Sequence, residues 1–142
     1  MVQTDSSSRF TVLLPIEQEG WHRTIVGLLE PQGVQTILAH SGREALDFIE
    51  NTSLHAVVLD MQMPGLGGLQ ILKLMRELGK TIPVVLLAER LSNYLLREAL
   101  SMRVFSVLSK PVDFNLLLDA LARIIRRYHE NRWPIEPRET KG

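Results

Sequence analysis

Five short apolar runs, separated by segments long enough to form helices, constrain the fold of this 142-residue chain more than any other feature. Each run is rich in Val, Ile and Leu without strict alternation of apolar and polar residues, which is typical of parallel strands buried on both faces. The runs are FTVLLPI (10–16), VQTILA (34–39), HAVVLD (55–60), PVVLLA (83–88) and VFSVLS (104–109). Together they predict a five-stranded parallel sheet.

The segments between the runs carry helix signals. EGWHRTIVGLLEPQG has apolar residues at helical spacing and stops at Gly33, and SGREALDFIEN opens with a capping box of Ser41 and Glu44. GLQILKLMRELG and LSNYLLREALSM continue the alternation, and a last helix is predicted from about Asp113 to about Asn131. Regular alternation of strands and helices predicts an α/β domain with helices on both faces of the sheet.

Composition excludes several classes of function. The chain has no cysteine, which rules out disulfides, thiolate metal sites and cysteine nucleophiles. Its formal net charge is zero, so no global field draws it to nucleic acid, and we expect no direct contact with nucleic acid. The start MVQTDSSSRF lacks a secretory signal, and no apolar run approaches the roughly 20 residues of a membrane helix. We therefore expect a cytoplasmic protein with no membrane contact.

Residues at the carboxyl ends of parallel strands are expected to converge on one pocket. The residues in these positions are Ile16, Glu17, Asp60, Ala88 and Lys110. Two carboxylates close together repel each other, and a bound cation relieves the repulsion; Mg²⁺ prefers oxygen ligands of this kind. A lysine beside them supplies a fixed positive charge for phosphoryl oxygens. The set suits attack by Asp60 on a phosphoryl donor.

Two motifs in this arrangement resemble the receiver domain of two-component response regulators. They are D-x-x-M-P with glycines soon after it, and K-P, formed by Asp60, Met63, Pro64, Gly65, Gly68, Lys110 and Pro111. The resemblance implies a flavodoxin-like doubly wound fold with strand order 2-1-3-4-5. It covers about residues 9–130, which leaves 1–8 as a flexible N-terminus and 131–142 as a C-terminal tail or linker.

The resemblance also implies roles for individual residues. Asp60 would accept a phosphoryl group from a histidine kinase or phosphotransfer protein, and Lys110 would contact the phosphate. Mg²⁺ would be held by Glu17, Asp60 and the backbone carbonyl of Gln62, and the peptide bond before Pro111 would be cis. Such a domain is not an enzyme beyond its own phosphorylation and dephosphorylation.

The sequence departs from the family pattern at three positions. Ile16 stands where one of two adjacent acids is usual, so we expect Mg²⁺ binding to be weakened or absent unless a local shift brings Glu19 into that place. Ala88 replaces the usual Thr or Ser of the switch, and Val107 replaces its aromatic ring. A hydrogen bond to a charged acceptor contributes about 1.5 to 3 kcal/mol, whereas turning a two-state protein on takes about 5.5 kcal/mol. Because Ala88 has no hydroxyl, we expect phosphorylation to drive the usual conformational switch of the family only weakly.

Two functions from different classes remain open. In the first, Asp60 accepts a phosphoryl group, and an output domain or partner protein reads the change through the fourth and fifth helices. In the second, the domain is a phosphorylation-independent module that binds a partner or forms a homodimer. We expect Leu118, Leu121 and Ile125 of the last helix to be core residues, and leave Tyr94 and Leu96 open between core and partner surface. The four histidines show no metal-ligand spacing, and we expect surface or strand-edge roles for them.

Overall fold

The computed structural model describes residues 9–16 and 20–130. Five parallel strands form one sheet in the order β2-β1-β3-β4-β5, which confirms the predicted α/β, flavodoxin-like fold. The strands are β1 (Thr11–Pro15), β2 (Gln35–Ala39), β3 (Ala56–Asp60), β4 (Val84–Ala88) and β5 (Ser106–Ser109). The helices are α1 (Trp21–Leu29), α2 (Gly42–Asn51), α3 (Gly68–Glu77), α4 (Asn93–Ser101) and α5 (Phe114–His129), and a 3-10 turn (Glu30–Gln32) follows α1. Glu17, the N-terminus 1–8 and the tail 131–142 lie outside the described residues.

The strand register brings the carboxyl ends of the strands to one edge of the sheet. Pro15 pairs with Ala39, and Asp60 pairs with Leu87 one residue before the end of β4. Because all the strands run parallel, their carboxyl ends meet at this edge, and the residues just past these ends lie around a common opening. This edge is where the sequence places its candidate site.

Two apolar cores flank the sheet, one on each face. Helices α2, α3 and α4 pack on one face through residues such as Ile49, Ile71 and Leu95. Helices α1 and α5 pack on the other face through residues such as Ile25 and Leu121. All five residues of β1, β3 and β4 are buried, as expected of interior strands covered on both sides.

Helix α2 begins differently from the predicted capping box. The Ser41 hydroxyl accepts a hydrogen bond from the Glu44 backbone N–H at 3.1 Å, as a cap should. The Glu44 carboxylate, however, accepts from the backbone N–H of His40 at 2.7 Å, one residue earlier than a capping box requires. Hydrogen bonds from the backbone N–H and from the ring of His40 to this carboxylate lower the pKa of Glu44. The interaction ties the end of β2 to the first turn of α2.

The core assignments on α5 need correction. Leu121 is fully buried, as expected, but Leu118 and Ile125 are only partly buried and pack at the margin of the core. Both are partly exposed because they line an open groove between α1 and α5. Tyr94 is 64% exposed and therefore belongs to the surface, whereas Leu96 is partly buried.

The expectation of surface or strand-edge histidines is wrong for His22, which is 6% exposed at the start of α1. His55 does lie at a strand edge, directly before β3, but it is also buried, with 8% exposure. Its Nδ1 accepts a hydrogen bond from the backbone N–H of Thr11 at 3.0 Å. Its ring stacks on Phe10 and contacts Tyr128 edge-on. His55 thus joins the amino ends of β1 and β3 to α5.

Candidate functional site

The site is built around a carboxylate at the end of an apolar strand. Asp60 is the last residue of β3 and is only 1% exposed. The chain turns immediately after it, through Pro64 and through Gly65, whose φ of 80° is one that glycine adopts without strain. The backbone N–H of Met61 still donates to the carbonyl of Leu87 at 2.9 Å, so β4 anchors the turn.

Both oxygens of the Asp60 carboxylate have partners. Oδ1 accepts a hydrogen bond from the backbone N–H of Gln62 at 2.9 Å. Oδ2 accepts from Nζ of Lys110 at 2.7 Å, in an ion pair whose side chains are 2% and 18% exposed. A buried carboxylate is tolerated when it is paired and hydrogen-bonded in this way. The lysine is the counter-ion of the carboxylate, and its ammonium group could also contact a negatively charged ligand in the cleft.

Lys110 is held in place by the neighbouring strand. Its backbone N–H donates to the carbonyl of Ala88, the last residue of β4, at 2.9 Å. The peptide bond between Lys110 and Pro111 is cis. The lysine therefore leaves the sheet one residue after β5 and reaches across to β3.

Two glycines let α3 begin directly against the end of β3. A Cβ atom on Gly68 would lie 2.7 Å from the carbonyl oxygen of Asp60, and one on Gly67 would lie 2.6 Å from that of Met61. Real Cβ atoms do not approach backbone oxygens so closely. Of the two, only Gly68 belongs to the sequence motif, and the structure gives it a steric role beside Asp60.

An open cleft of about 660 Å³ lies over Asp60. Among the residues expected from the sequence, it brings together Ile16, Asp60, Gln62, Lys110 and Pro111. Ala88 and Val107, the positions of the expected switch, are not among its lining residues: Ala88 is 2% exposed behind it, and Val107 packs in the core beside α4. Ala88 contributes a carbonyl to Lys110 and has no hydroxyl to offer to a ligand.

Three residues at the mouth of the cleft were not expected from the sequence: His40, Glu89 and Arg90. The amide nitrogen of Gln62 donates to the Glu89 carboxylate at 3.3 Å, across the opening. His40 directly follows β2, and Glu89 and Arg90 are the first two residues after β4, so the rule that found Asp60 and Lys110 would also have found them. Arg90 adds a positive charge, and His40 adds a ring, to the mouth of a cleft that holds two carboxylates.

The donor set in the cleft bears on whether it could hold a cation. Within the part of the chain that the structure describes, no group of three or more acidic, histidine or cysteine side chains converges on one point. Asp60 and the Gln62 backbone provide oxygen atoms, and Ile16, the residue before Glu17, lines the cleft. One carboxylate from the next residue would complete a hard-oxygen set that, with waters, suits Mg²⁺.

A parallel sheet of order 2-1-3-4-5 with a buried aspartate and a lysine at its carboxyl edge is the architecture of a phosphoryl-accepting signalling domain. The family model "Response regulator receiver domain" matches residues 17–122. The chain belongs to this family. It is therefore a receiver domain of two-component phosphorelay signalling, and the comparisons give the phosphorylation-independent alternative no support over this function.

Individual relatives agree with the family assignment. The chain is 26% identical over 114 residues to sporulation initiation phosphotransferase F of Bacillus subtilis, covering 80% of this chain and 92% of that protein. It is 34% identical over 105 residues to response regulator MprA of a Mycobacterium species, covering 74% of this chain but only 46% of MprA. The receiver domain of a Francisella response regulator superposes with a TM-score of 0.75 at 27% identity, covering 83% and 98% of the two chains.

No helix among the described residues is both long and apolar enough to cross a lipid bilayer.

Proposed function

We propose that Asp60 is the phosphoryl acceptor of this receiver domain and that Lys110 is its phosphate contact. The observation that carries the proposal is the ion pair between Oδ2 of Asp60 and Nζ of Lys110, 2.7 Å long, at the base of an open cleft. The pair presents a carboxylate nucleophile and a cation at one point. Phosphoryl transfer depends on such positioning and charge stabilisation.

The residues perform the transfer as follows. A carboxylate oxygen of Asp60 forms a bond to phosphorus while the bond from phosphorus to the donor's imidazole nitrogen breaks, which leaves an acyl phosphate on Asp60 and a neutral imidazole on the donor after it takes up a proton. Lys110 turns its ammonium from Asp60 to an oxygen of the transferred group. The Gln62 backbone N–H holds the other carboxylate oxygen during attack.

The proposal includes a magnesium site with a reduced set of carboxylates. Asp60, the backbone carbonyl of Gln62 and Glu17 would hold the ion, which when bound neutralises charge on the phosphoryl oxygens. Ile16 lines the cleft but offers no ligand. We expect weaker Mg²⁺ binding than two adjacent acids would give.

Ala88 and Val107 imply a readout that does not use the hydroxyl and ring of the family switch. Lys110 links the phosphoryl site to β4 through the Ala88 carbonyl, so movement of Lys110 is transmitted to the ends of β4 and β5. We propose that a partner protein or output domain reads this change on α4 and α5. Exposed apolar side chains there support the proposal: Tyr94 and Leu100 on α4 and Leu116 on α5 are all more than half exposed.

The phosphoryl donor is a histidine kinase or a phosphotransfer protein, and the domain catalyses nothing beyond its own phosphorylation and dephosphorylation. The domain itself spans residues 9–130, with 131–142 as a tail or linker. The assignment of donors is supported by relatives that are a phosphotransferase and several response regulators. A homodimer through α4 and α5 is the alternative to a separate partner.

The direct experiment is incubation with acetyl phosphate and Mg²⁺, followed by intact mass measurement. We expect the mass of one phosphoryl group on the unsubstituted chain and none on Asp60→Ala. Asp113→Ala is the matched control, because Asp113 caps α5 outside the cleft, and it should gain the phosphoryl group normally. A gain that survives Asp60→Ala would assign the acceptor elsewhere, and no gain on any variant would contradict the proposal.

A further inference from the structure

A second opening lies at the opposite end of the domain from Asp60, between α1 and α5. It is a groove of about 690 Å³, and its apolar walls include Leu28 from α1 and Leu118 and Ile125 from α5. Leu28 is 46% exposed, although it lies beside the core that the two helices share. The groove falls in the volume range that holds a small molecule or a few side chains.

The rim of the groove is basic and lies beside the end of the last described helix. Arg9, Arg126 and His129 line it together with the apolar residues. Helix α5 ends at His129, so the chain leaves the described region at the mouth of the groove. In the following sequence, NRWPIEPRETKG, two polar residues precede an apolar group, Trp133 to Ile135, which is followed by Glu136.

We propose that Trp133, Pro134 and Ile135 of the same chain pack into this groove, with Glu136 against its basic rim. Trp133 is the third residue after Glu130, a reach of about 10 Å when the chain is extended. Trp133 therefore reaches the groove but not the Asp60 cleft, which lies at the other edge of a sheet whose strands are roughly 17 Å long. Tryptophan buries a large area at low cost in side-chain entropy, and proline limits the freedom of the segment.

The tether favours this occupant over a separate molecule. A short linker gives an attached segment a millimolar effective concentration, so modest apolar contact is enough to hold it. Within the segment, Glu136 offers a carboxylate to the two arginines of the rim, whereas Arg132 and Arg138 have the same charge as the rim, so the apolar residues supply most of the contact. The interaction would cover a face of α1 and α5 and would remove it from any competing partner.

The test uses the fluorescence of Trp133 in the full chain. The protein has two tryptophans, so in a Trp21→Phe background Trp133 is the single emitter. We expect its acrylamide quenching constant to be several-fold lower than that of a synthetic peptide of residues 131–142. Leu28→Glu should raise it to the peptide value, whereas Leu78→Glu should leave it unchanged. Leu78 is a matched control, because it is 51% exposed at the end of α3, away from the groove.

Three other outcomes overturn the proposal. Quenching equal to that of the peptide in all variants would show that Trp133 is outside the groove. Shielding that falls on dilution would assign the groove to a second copy of the chain, and shielding unaffected by Leu28→Glu would place Trp133 on another surface. If Trp21→Phe disturbs folding, the indole N–H resonance of Trp133 in the otherwise unsubstituted chain replaces it: it should shift with Leu28→Glu and not with Leu78→Glu.

Discussion

Nζ of Lys110 and Oδ2 of Asp60 lie 2.7 Å apart although 50 residues separate them in the sequence. The carboxylate is buried, and the lysine side chain is 18% exposed. The pair therefore contributes to folding as well as to the proposed chemistry. Removal of the cation alone leaves the buried carboxylate without its counter-ion, while Oδ1 keeps the hydrogen bond from the Gln62 N–H.

We expect Lys110→Met to destabilise the domain by on the order of 3 kcal/mol, because a buried charge loses its counter-ion. Addition of Asp60→Asn to that variant should recover part of the loss, because the buried group is then neutral. Urea unfolding of the two single variants and the double variant measures the coupling. Strictly additive effects would show that the pair does not interact in solution.

Lys110→Met should also slow the uptake of a phosphoryl group from acetyl phosphate by about 10²-fold, the typical effect of removing one group that stabilises developing negative charge. Lys73→Met is the control, because Lys73 is an exposed residue of α3 and should leave the rate unchanged. The measurement is the time course of intact mass at a temperature where both variants are folded. Equal rates of phosphorylation in the two variants would show that Lys110 does not assist the transfer.

Gly68→Ala should perturb both folding and phosphorylation. The added methyl would meet the Asp60 carbonyl at 2.7 Å and Leu86 Cδ1 at 2.9 Å, so the start of α3 must move away from the acceptor. We expect a loss of about 1 to 3 kcal/mol in unfolding free energy and slower phosphoryl uptake.

Gly27→Ala is the control for that substitution. Gly27 lies inside α1 with open space around its missing Cβ. Alanine should stabilise the domain there by about 0.5 to 1 kcal/mol, because glycine is a poor helix residue. Thermal unfolding of the two variants should therefore shift in opposite directions, and a destabilised Gly27→Ala would contradict the steric explanation.

The sequence predicts the fold and the centre of the site because both depend on local patterns. Apolar runs and helix signals are read within short windows, and the rule for parallel strand ends then brings Asp60 and Lys110 together. Features that depend on how distant segments pack against each other cannot be predicted from such short windows. The open groove that leaves Leu118 and Ile125 partly exposed is one such feature, because an apolar stripe on one helix does not reveal how much of it a neighbouring helix covers.

Arg76 and His55 illustrate the same limit. Arg76 lies at the polar end of a helix and reads as a solvated residue, yet the carbonyls that it binds are up to 27 residues away. The role of His55 requires knowledge that β1 and β3 are neighbours. Neither residue belongs to a motif, and their partners are backbone atoms, which carry no sequence signal.

Substitution of Arg76 should destabilise the domain more than substitution of most residues near the surface. Its guanidinium donates to the carbonyls of Met102, Lys80, Ile82 and Arg103 at 2.8 to 3.1 Å, which joins α3 to the connection between α4 and β5. Burial and the nearby Arg103 lower its pKa. We expect Arg76→Ala to cost about 3 kcal/mol in urea unfolding, because several carbonyls lose a charged donor.

The exposed Arg97 on α4 is the matched control, and Arg97→Ala should change stability by less than about 0.5 kcal/mol. The loss of stability in Arg76→Lys should lie between those of the two alanine variants, since lysine keeps the charge but lacks the planar guanidinium that reaches several carbonyls. A loss in Arg76→Ala no larger than in Arg97→Ala would show that these hydrogen bonds contribute nothing net.

Stability should fall as the pH drops through the range where free histidine titrates, and His55 should be a principal cause. Burial lowers the pKa of His55 from 6.5, and its Nδ1 must stay unprotonated to accept from Thr11 N–H. Between the lowered folded pKa and 6.5, the unfolded chain binds a proton that the folded domain does not, so protonation favours unfolding. His55→Asn offers an amide oxygen to the Thr11 N–H and cannot titrate. From about pH 7.5 to about pH 5.5, the urea midpoint should fall less in this variant than in the unsubstituted chain. Part of the pH dependence of the urea midpoint should remain, because burial, Arg23 and His40 also lower the pKa of His22. If the pH dependence is the same in both proteins, His55 has the same pKa in the folded and unfolded states, which would contradict the prediction.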